Sequence, residues 1–319
     1  GQYYINANLP AAQKTYTGVD QRPLYTSNRI VSNVTSAYVL KSRDGGWASN
    51  TSLSLEKTFA SGLFVKSAYN YGVSRNFIDP GSIAGGTWTN NAMSDDPNNP
   101  GIGYSATSPG HRFIAAMSYK RDFFGFGETG FSLFTESATQ GNSSYIFSGD
   151  ANGDGGSFND LIYIPKNKGE MNFESFTSSG TTFTVEKQQD AWDAYIKQDP
   201  YLSKHRGEYA QKGAIFLPRV VRADISVSQD LSRLVRDKKN SFQVRLDILN
   251  FTNMLNNKWG VGDRLATNTP LISRGADGTG ALKYRLRNNA SRLIDHTFER
   301  TAGLSDVYRM QLSFRYTFN

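Results

Sequence analysis

Apolar and polar side chains alternate residue by residue over several long stretches of this chain. The last stretch interleaves Tyr308, Met310, Leu312, Phe314, Tyr316 and Phe318 with Arg309, Gln311, Ser313, Arg315 and Thr317. A period of two places successive side chains on opposite faces of a β-strand, so each stretch predicts a strand with one apolar and one polar face. Seven such strands are predicted, over residues 47–59, 63–74, 112–120, 129–136, 221–228, 242–248 and 308–318. Three weaker strands, over residues 35–41, 143–148 and 281–286, bring the total to about ten.

Strand length and the placement of aromatic residues favour a membrane barrel over a soluble β-sandwich. Four of the seven alternations run for 9–13 residues and three for seven or eight, whereas soluble strands typically have about 5–6 and a tilted strand crosses a bilayer in about 9–11. Aromatic residues gather at the strand ends, where the aromatic girdle of a membrane barrel lies. These residues are Trp47, Phe59, Tyr71, Phe123, Phe124, Phe126, Tyr308 and Phe318. A soluble sandwich with an aromatic core produces a similar alternation, and this alternative stays open.

The connections between the predicted strands alternate between short and long. Residues 60–62, 123–127 and 231–240 are short, whereas residues 75–110, 149–216 and 254–280 form long segments rich in Asn, Asp, Gly and Ser. Membrane barrels have tight periplasmic turns and long external loops, and loops this long are uncommon in compact soluble domains. Within the longest loop, helical spacing of Trp192, Tyr195 and Ile196 predicts a helix between Val185 and Gln198, which Asp199-Pro200 ends.

Composition agrees with an all-β protein and excludes several other classes. Aromatic residues make up 13% of the chain and there are 30 glycines, while hydrophobic residues reach only 38%. No apolar run approaches the roughly 18 residues of a transmembrane helix. The absence of cysteine excludes disulfides, cysteine–zinc sites and thiol nucleophiles. The formal net charge of +7 over 319 residues is weak support for an anionic partner.

The sequence carries no signature of an enzyme or of a nucleic-acid-binding module. The three histidines, His111, His205 and His296, are far apart and have no neighbours at the spacing of a metal site or a catalytic triad. Neither a Gly-x-Ser-x-Gly nucleophile motif nor a phosphate-binding loop is present. We therefore expect neither enzymatic activity, nor an organic cofactor, nor a nucleic-acid partner.

One motif predicts a metal site. Residues 150–155 read D-x-N-x-D-G, which places oxygen ligands from Asp150, Asn152 and Asp154 on one side of a turn that Gly155 permits. The acidic residue that closes an EF-hand loop at position 12 is replaced by Leu161, and Asp160 is the substitute that we consider. The motif predicts a structural Ca²⁺ ion bound by Asp150, Asn152, Asp154 and Asp160. A turn rich in Asn, Asp and Gly without a metal is the alternative.

Four blocks of sequence resemble one family. They are residues 149–165 (G-D-A-N-G-D continuing to N-D-L-I-Y-I-P), residues 201–209 (Y-L-S-K-H-R-G-E-Y), residues 246–256 (L-D-I-L-N-F-T-N with L-N) and residues 312–318 (L-S-F-R-Y-T-F). Together they resemble the TonB-dependent outer-membrane receptors, in the Oar-like branch that carries a carboxypeptidase regulatory domain. The resemblance covers most of residues 34–319.

The resemblance implies a fold, a function and a location. It implies a transmembrane antiparallel β-barrel, of which about ten strands of roughly 22 are present here, with long extracellular loops. The plug domain, the TonB box and the first half of the barrel are missing, so residues 1–319 are expected to form the C-terminal portion of a longer receptor. Such a receptor lies in the outer membrane of a Gram-negative bacterium, captures a ligand with its extracellular loops and imports it through the plugged barrel.

The resemblance also implies partners, and other functions stay open. The expected partners are the N-terminal part of the same receptor, the TonB complex, outer-membrane lipid and lipopolysaccharide, with a surface lipoprotein as a further candidate. The polar strand faces would line the lumen, whereas neither the transported ligand nor its binding residues can be read from the sequence. Two alternatives remain, a passive outer-membrane porin or adhesin barrel and a secreted glycan-binding β-sandwich.

Overall fold

The computed structural model describes residues 1–26, 29–231 and 240–318, and the protein is rich in β-strand with few helices. Seven long strands form its main sheet, and we name them in chain order. They are β1 (Trp47–Thr58), β2 (Leu63–Asn76), β3 (Gly110–Arg121), β4 (Thr129–Thr139), β5 (Arg219–Asp230), β6 (Ser241–Leu249) and β7 (Arg309–Thr317). Each contains most or all of one of the seven clearly alternating stretches, so those strand predictions are confirmed.

The main sheet is an antiparallel meander in which the strands lie in sequence order from β1 to β7. Consecutive connections therefore lie at opposite ends of the sheet, which puts the short ones at one end and the long ones at the other. The β1–β2 connection is a tight hairpin in which Phe59 N donates to Leu63 O at 2.8 Å. Gly62 occupies φ 87° in that turn, a conformation that glycine adopts readily. Most of the predicted short connection at residues 231–240 lies outside the described residues.

The strand register aligns the apolar side chains of neighbouring strands on one face. One row across the sheet joins Val65 to Met117, Met117 to Leu133, Leu133 to Ile225, Ile225 to Ile248 and Ile248 to Met310. Many of these side chains are exposed, and Leu53, Leu55 and Phe314 retain 66%, 69% and 65% of their accessible surface. We call this surface the apolar face.

The opposite face is polar and carries ion pairs between neighbouring strands. Glu56 pairs with Lys66 at 3.2 Å across β1 and β2, and Arg112 pairs with Glu136 at 2.6 Å across β3 and β4. The same register places Asp224, Asp247, Arg309 and Arg315 on this face. The division into two faces that the alternation predicts is therefore present across all seven strands.

The three weaker strands do not join the main sheet, so the expectation of about ten barrel strands is not met by the described residues. They appear as parts of Tyr38–Ser42, of Asn142–Ser143 and Phe147–Ser148, and of Leu282–Leu286. Phe147, Leu282 and Leu286 are at most 2% exposed, because they pack into a separate apolar core instead of presenting a face to the surroundings.

The separate core belongs to a body that we call the cap, formed by residues 1–26, 29–46, 77–109, 140–218 and 250–308. Its buried cluster joins Tyr16, Tyr145, Ile162, Trp192 and Leu271 with neighbouring apolar side chains. The small sheets of the cap pair Gln2–Asn6 with Tyr38–Ser42, Lys14–Thr15 with Pro23–Leu24, Asn142–Ser143 with Ile215–Phe216, Phe176–Ser178 with Thr181–Phe183, Asp263–Leu265 with Phe298–Arg300, and Asn288–Asn289 with Arg292–Leu293. A three-stranded sheet joins Phe147–Ser148, Leu271–Ala276 and Leu282–Leu286, and the short strand Gly103–Tyr104 pairs with the end of β2.

The helices of the described residues also lie in the cap. They are α1 (Ala84–Thr89), α2 (Val185–Gln198) and α3 (Phe251–Leu255), with 3₁₀ turns at Lys168–Glu170, Leu202–Lys204 and Leu304–Asp306. Helix α2 has the predicted bounds, and its Trp192, Tyr195 and Ile196 are fully buried. Across the described residues, no helix has both the length and the apolar character needed to cross a membrane.

The main sheet is open. In the described residues, β1 and β7 each pair with one neighbour and not with each other, so each leaves one edge without a partner strand. An unpaired edge presents a row of backbone donors and acceptors to which another strand can add. The described residues form mainly β-strands, which establishes the all-β class. Because β1 and β7 do not pair with each other, closure into a barrel requires strands other than these seven.

Candidate ligand and cation sites in the cap

The loop with the D-x-N-x-D-G motif folds into a tight series of turns in which the side chains of Asp150, Asn152 and Asp154 each accept backbone N–H groups. Asp150 accepts from Gly153 N at 2.6 Å and from Gly155 N at 2.8 Å. Asn152 accepts from Asp154 N at 2.9 Å, and Asp154 accepts from Gly156 N at 2.6 Å. Glycines 153 and 155 adopt positive φ, which this curvature requires. Asp150, Asn152 and Asp154 thus lie in one turn, and the metal site predicted there stays a prediction.

Asp160, the fourth residue predicted in this site, lies beside the loop and faces two other groups. Its Oδ2 accepts from Ala151 N at 2.8 Å, which fixes it to the motif. Its Oδ1 lies 3.5 Å from Arg22 Nη1, across 138 residues of sequence. The guanidinium of Arg22 also donates to both oxygens of Asp20 at 2.9 Å and to Leu161 O at 2.8 Å. Arg22 is 1% exposed, so this is a buried ion-pair network.

The loop is buried even though it is rich in charge. Asn152, Asp154, Asn159 and Asp160 are at most 5% exposed. Burial disfavours the charged form of a carboxyl group, and it raises the pKa of Asp154 to about 6 and that of Asp160 to about 7. Burial therefore outweighs both the hydrogen bonds that Asp154 accepts and the positive charge of Arg22 beside Asp160.

The N-terminal segment of the chain closes over this loop. Tyr16 donates its hydroxyl to Ala151 O at 2.8 Å, and Tyr25 N donates to Asn152 O at 2.7 Å. On the other side, Met93 N donates to Asn159 O at 2.7 Å. Three segments that are distant in the sequence therefore meet at residues 150–160, which makes the loop a junction of the cap.

A second candidate site is a cavity of about 310 Å³ lined by residues of the loops on either side of α1. At its wall, Lys212 Nζ donates to Asn76 Oδ1 and to Phe77 O, both at 3.1 Å, and lies 3.5 Å from Asp79. Burial lowers the pKa of Lys212, while hydrogen bonds from Asn76 and Ser105 and the nearby Lys212 charge lower that of Asp79 despite its burial. The pair therefore contributes no net charge to the cavity.

Two residues that line this cavity, Asn91 and Asn142, each have a buried amide oxygen without a hydrogen-bond partner in the described residues. The orientation of Asn142 is fixed, because its Nδ2 donates to Ser105 O at 3.0 Å and to Gly213 O at 2.7 Å. Both oxygens are enclosed by protein atoms, so a bound donor reaches them only if the surrounding side chains move.

Sequence reasoning found the motif loop but missed Asp20, Arg22 and the cavity around Lys212. Asp20 and Arg22 lie in a segment without periodicity, and Arg22 meets Asp160 only through long-range folding. Among the described residues, no group of three or more His, Cys, Asp or Glu side chains is arranged to hold a metal ion. His205 lies in the cap and pairs with Glu208 at 3.0 Å.

A scan against models of known protein families, a search of curated proteins and a search of solved structures each return no match for this chain.

Proposed function

We propose that this chain forms part of the wall of an outer-membrane β-barrel, and that the barrel is a TonB-dependent receptor that imports a ligand. The observation that carries the proposal is the apolar face. A soluble monomer rarely exposes a contiguous apolar patch of more than a few hundred Å², whereas here apolar side chains stay exposed on strand after strand. Lipid is the surrounding that makes such a face favourable.

The length of the strands fits the thickness of a lipid bilayer. Trp47 and Phe59 lie at opposite ends of β1, twelve residues apart. At about 3.3 Å per residue this separation is about 40 Å along the strand, or about 30 Å along the membrane normal for a tilt of about 40°. An apolar band about 25 Å tall therefore fits between these two aromatic residues. Phe123 and Phe124, in the β3–β4 turn, are 50% and 64% exposed and belong to the girdle at the short-turn end.

The cap supports a receptor in preference to a plain barrel. All the long connections lie at one end of the sheet, which is the extracellular end in this proposal, and they fold into a body with its own core. The cavity beside Lys212, with polar residues such as Asp79 and Asn90 in its lining, is the ligand pocket of this body in the proposal. The charged face of the sheet lines the lumen in this arrangement, and the free edges of β1 and β7 pair with the N-terminal part of the receptor.

The remaining partners and alternatives follow from the same proposal. Outer-membrane lipid and lipopolysaccharide contact the apolar face, the TonB complex acts through the N-terminal part, and a surface lipoprotein is a candidate partner of the cap. A secreted β-sandwich is disfavoured, because a sandwich buries its apolar face against a second sheet. A passive porin or adhesin barrel shares the apolar face and is separated from the receptor by the experiment on energy coupling.

Tryptophan quenching by brominated lipid tests the membrane assignment. Two single-tryptophan versions of the protein in lipid vesicles serve as probe and control, one retaining Trp47, which is 53% exposed, and the other retaining the fully buried Trp192. We expect brominated acyl chains to quench Trp47 strongly and Trp192 little. Equal quenching of the two, or none at Trp47, would overturn the assignment. Energy coupling is tested by co-purification of the full-length protein with the periplasmic domain of TonB, and failure to bind leaves the passive barrel.

A further inference from the structure

The acidic residues of the motif loop outnumber the basic residues that compensate them. Asp20, Asp150, Asp154 and Asp160 are brought into one region by the contacts described above. Among the ion pairs of the described residues, Arg22 is the single basic partner of this group, and it contacts Asp20 and Asp160. Asp150 and Asp154 form no ion pair within the part of the chain described. Asp150 is half-buried but Asp154 is only 5% exposed, and a buried carboxylate without a counter-charge is costly, so the position of Asp154 favours an added positive charge.

A second, independent feature of the loop indicates that a hydrogen-bond donor or a cation is missing from it. Asn159 is completely buried, and its Nδ2 donates to Asp154 Oδ2 at 2.9 Å. Its Oδ1 has no partner among the described residues. A buried carbonyl oxygen without a donor costs about 1–3 kcal/mol, and such groups in native proteins commonly face a water or an ion. This oxygen belongs to the amide that contacts Asp154, the central carboxylate of the loop.

The loop supplies oxygen donors of the kind that Ca²⁺ prefers. Asp150 and Asp154 contribute carboxylates, and Asn152 and Asn159 contribute amide oxygens. Both oxygens of Asp150, Asn152 Oδ1 and Asp154 Oδ1 accept one N–H each and retain a second lone pair, whereas Asp154 Oδ2 accepts from both Asn152 Nδ2 and Asn159 Nδ2. Two carboxylates with amide and backbone oxygens form a mixed donor set, which differs from a cluster of three or more acidic side chains. Ca²⁺ accepts six to eight oxygens in irregular geometry, whereas Mg²⁺ requires a near-ideal octahedron.

We propose that residues 150–159 bind one Ca²⁺ ion through Asp150, Asn152, Asp154 and Asn159, and that the ion fastens the cap. Asp160 stands next to this set and is held by Arg22. The ion stabilises the junction at which Tyr16, Tyr25 and Met93 meet the loop, so its loss loosens the contact between the N-terminal segment and the rest of the cap. The site lies away from the apolar face, so this inference is independent of the membrane proposal.

Calcium titration of the whole chain tests the site. The 319-residue protein in detergent micelles is stripped with EDTA and titrated with CaCl₂ or MgCl₂ by calorimetry, and its thermal unfolding is followed with each salt and with EDTA. We expect one Ca²⁺ per chain and a higher melting temperature with Ca²⁺ than with Mg²⁺ or EDTA. Absence of Ca²⁺ binding, or an equal response to Mg²⁺, would overturn the assignment.

Two substitutions should shift the melting temperature in EDTA and the response to Ca²⁺ in opposite directions. A purely structural role of these residues would not produce this difference. Asp154→Asn removes a buried charge at nearly constant volume, so we expect a melting temperature in EDTA at least equal to that of the wild type and a Ca²⁺ affinity lower by at least about tenfold. Asn159→Asp adds a carboxylate, so we expect lower stability in EDTA and a larger gain on adding Ca²⁺. Destabilisation of Asn159→Asp by the same amount with and without Ca²⁺ would contradict the site.

A matched control addresses general effects of charge. Asp295 has a side chain that is 81% exposed and pairs with His296, remote in sequence from the loop. Asp295→Asn changes the net charge of the chain exactly as Asp154→Asn does, and we expect wild-type Ca²⁺ affinity. A matching loss of affinity in both variants would assign the Ca²⁺ response to the overall charge of the protein and overturn the site.

Discussion

At the scale of single residues, the two faces of a strand predict opposite responses to the same substitution. Leu312 lies on the apolar face, pairs with Leu246 in the register and is 59% exposed. A charge placed near the midplane of a membrane barrel costs about 2–4 kcal/mol, so Leu312→Arg should reduce the amount of folded protein in the outer membrane. Gln311→Arg, one residue away, places the same charge on the polar face opposite Asp247. We expect it to assemble like the wild type.

Heat-modifiability on gels, which separates folded from unfolded barrels, measures this difference. Outer-membrane fractions of cells that express each variant are compared at equal expression. If Leu312→Arg and Gln311→Arg reach the same folded level, the apolar face does not contact lipid.

The buried network around Arg22 predicts a second effect of a single residue. Arg22→Met leaves Asp20 and Asp160 buried without their guanidinium, and breaking a buried pair in this way costs about 3–5 kcal/mol. Arg264 forms a solvent-exposed pair with Glu299 at 3.5 Å, with a side chain 64% exposed. Arg264→Met should therefore cost no more than about 1 kcal/mol. Denaturant unfolding in calcium-free buffer measures the free energy of unfolding of both variants. An equal loss in the two would mean that the network contributes little to the stability of the cap.

At the scale of elements, helix α2 is the best test of how the cap is built. Trp192 is fully buried and stacks on Tyr195 with ring centroids 5.2 Å apart. Trp192→Ala removes this contact and leaves a cavity, at a cost of about 3–5 kcal/mol. Trp192→Phe should cost clearly less, because it keeps an aromatic ring and removes an indole N–H that has no partner among the described residues. Thermal unfolding followed by near-ultraviolet circular dichroism ranks the variants, and a wild-type melting temperature for Trp192→Ala would exclude α2 from the core.

Elements were predictable from the sequence where a regular period extends over many residues. The alternation predicts the seven strands of the sheet, and helical spacing with Asp199-Pro200 predicts the bounds of α2. The cap sheets were not predictable, because strands of two or three residues such as Asn142–Ser143 are held by partners such as Ile215–Phe216 far along the chain. The same limit applies to the site. Spacing predicts the turn of residues 150–155, whereas the contact between Arg22 and Asp160 spans 138 residues.

At the scale of the whole molecule, the two free edges of the main sheet determine how this chain assembles. β1 has 12 residues and β7 has nine, and each leaves one side of its backbone without a partner strand in the described part of the protein. An unpaired edge in lipid is very unfavourable, because no water satisfies its N–H and C=O groups. We therefore expect both edges to pair with further strands in the longer receptor that the sequence resemblance implies.

Hydrogen–deuterium exchange with mass spectrometry tests this pairing. In the isolated 319-residue chain, amides of β1 and β7 that point away from the sheet should exchange quickly, because nothing holds their hydrogens. In the longer receptor they should be protected, because a neighbouring strand accepts those hydrogen bonds. Strand β4, which pairs with β3 and β5 along its length, is the internal control and should be protected in both samples. Rapid exchange of β1 and β7 in the longer receptor, with β4 protected, would mean that the sheet stays open and that the chain does not form a barrel wall.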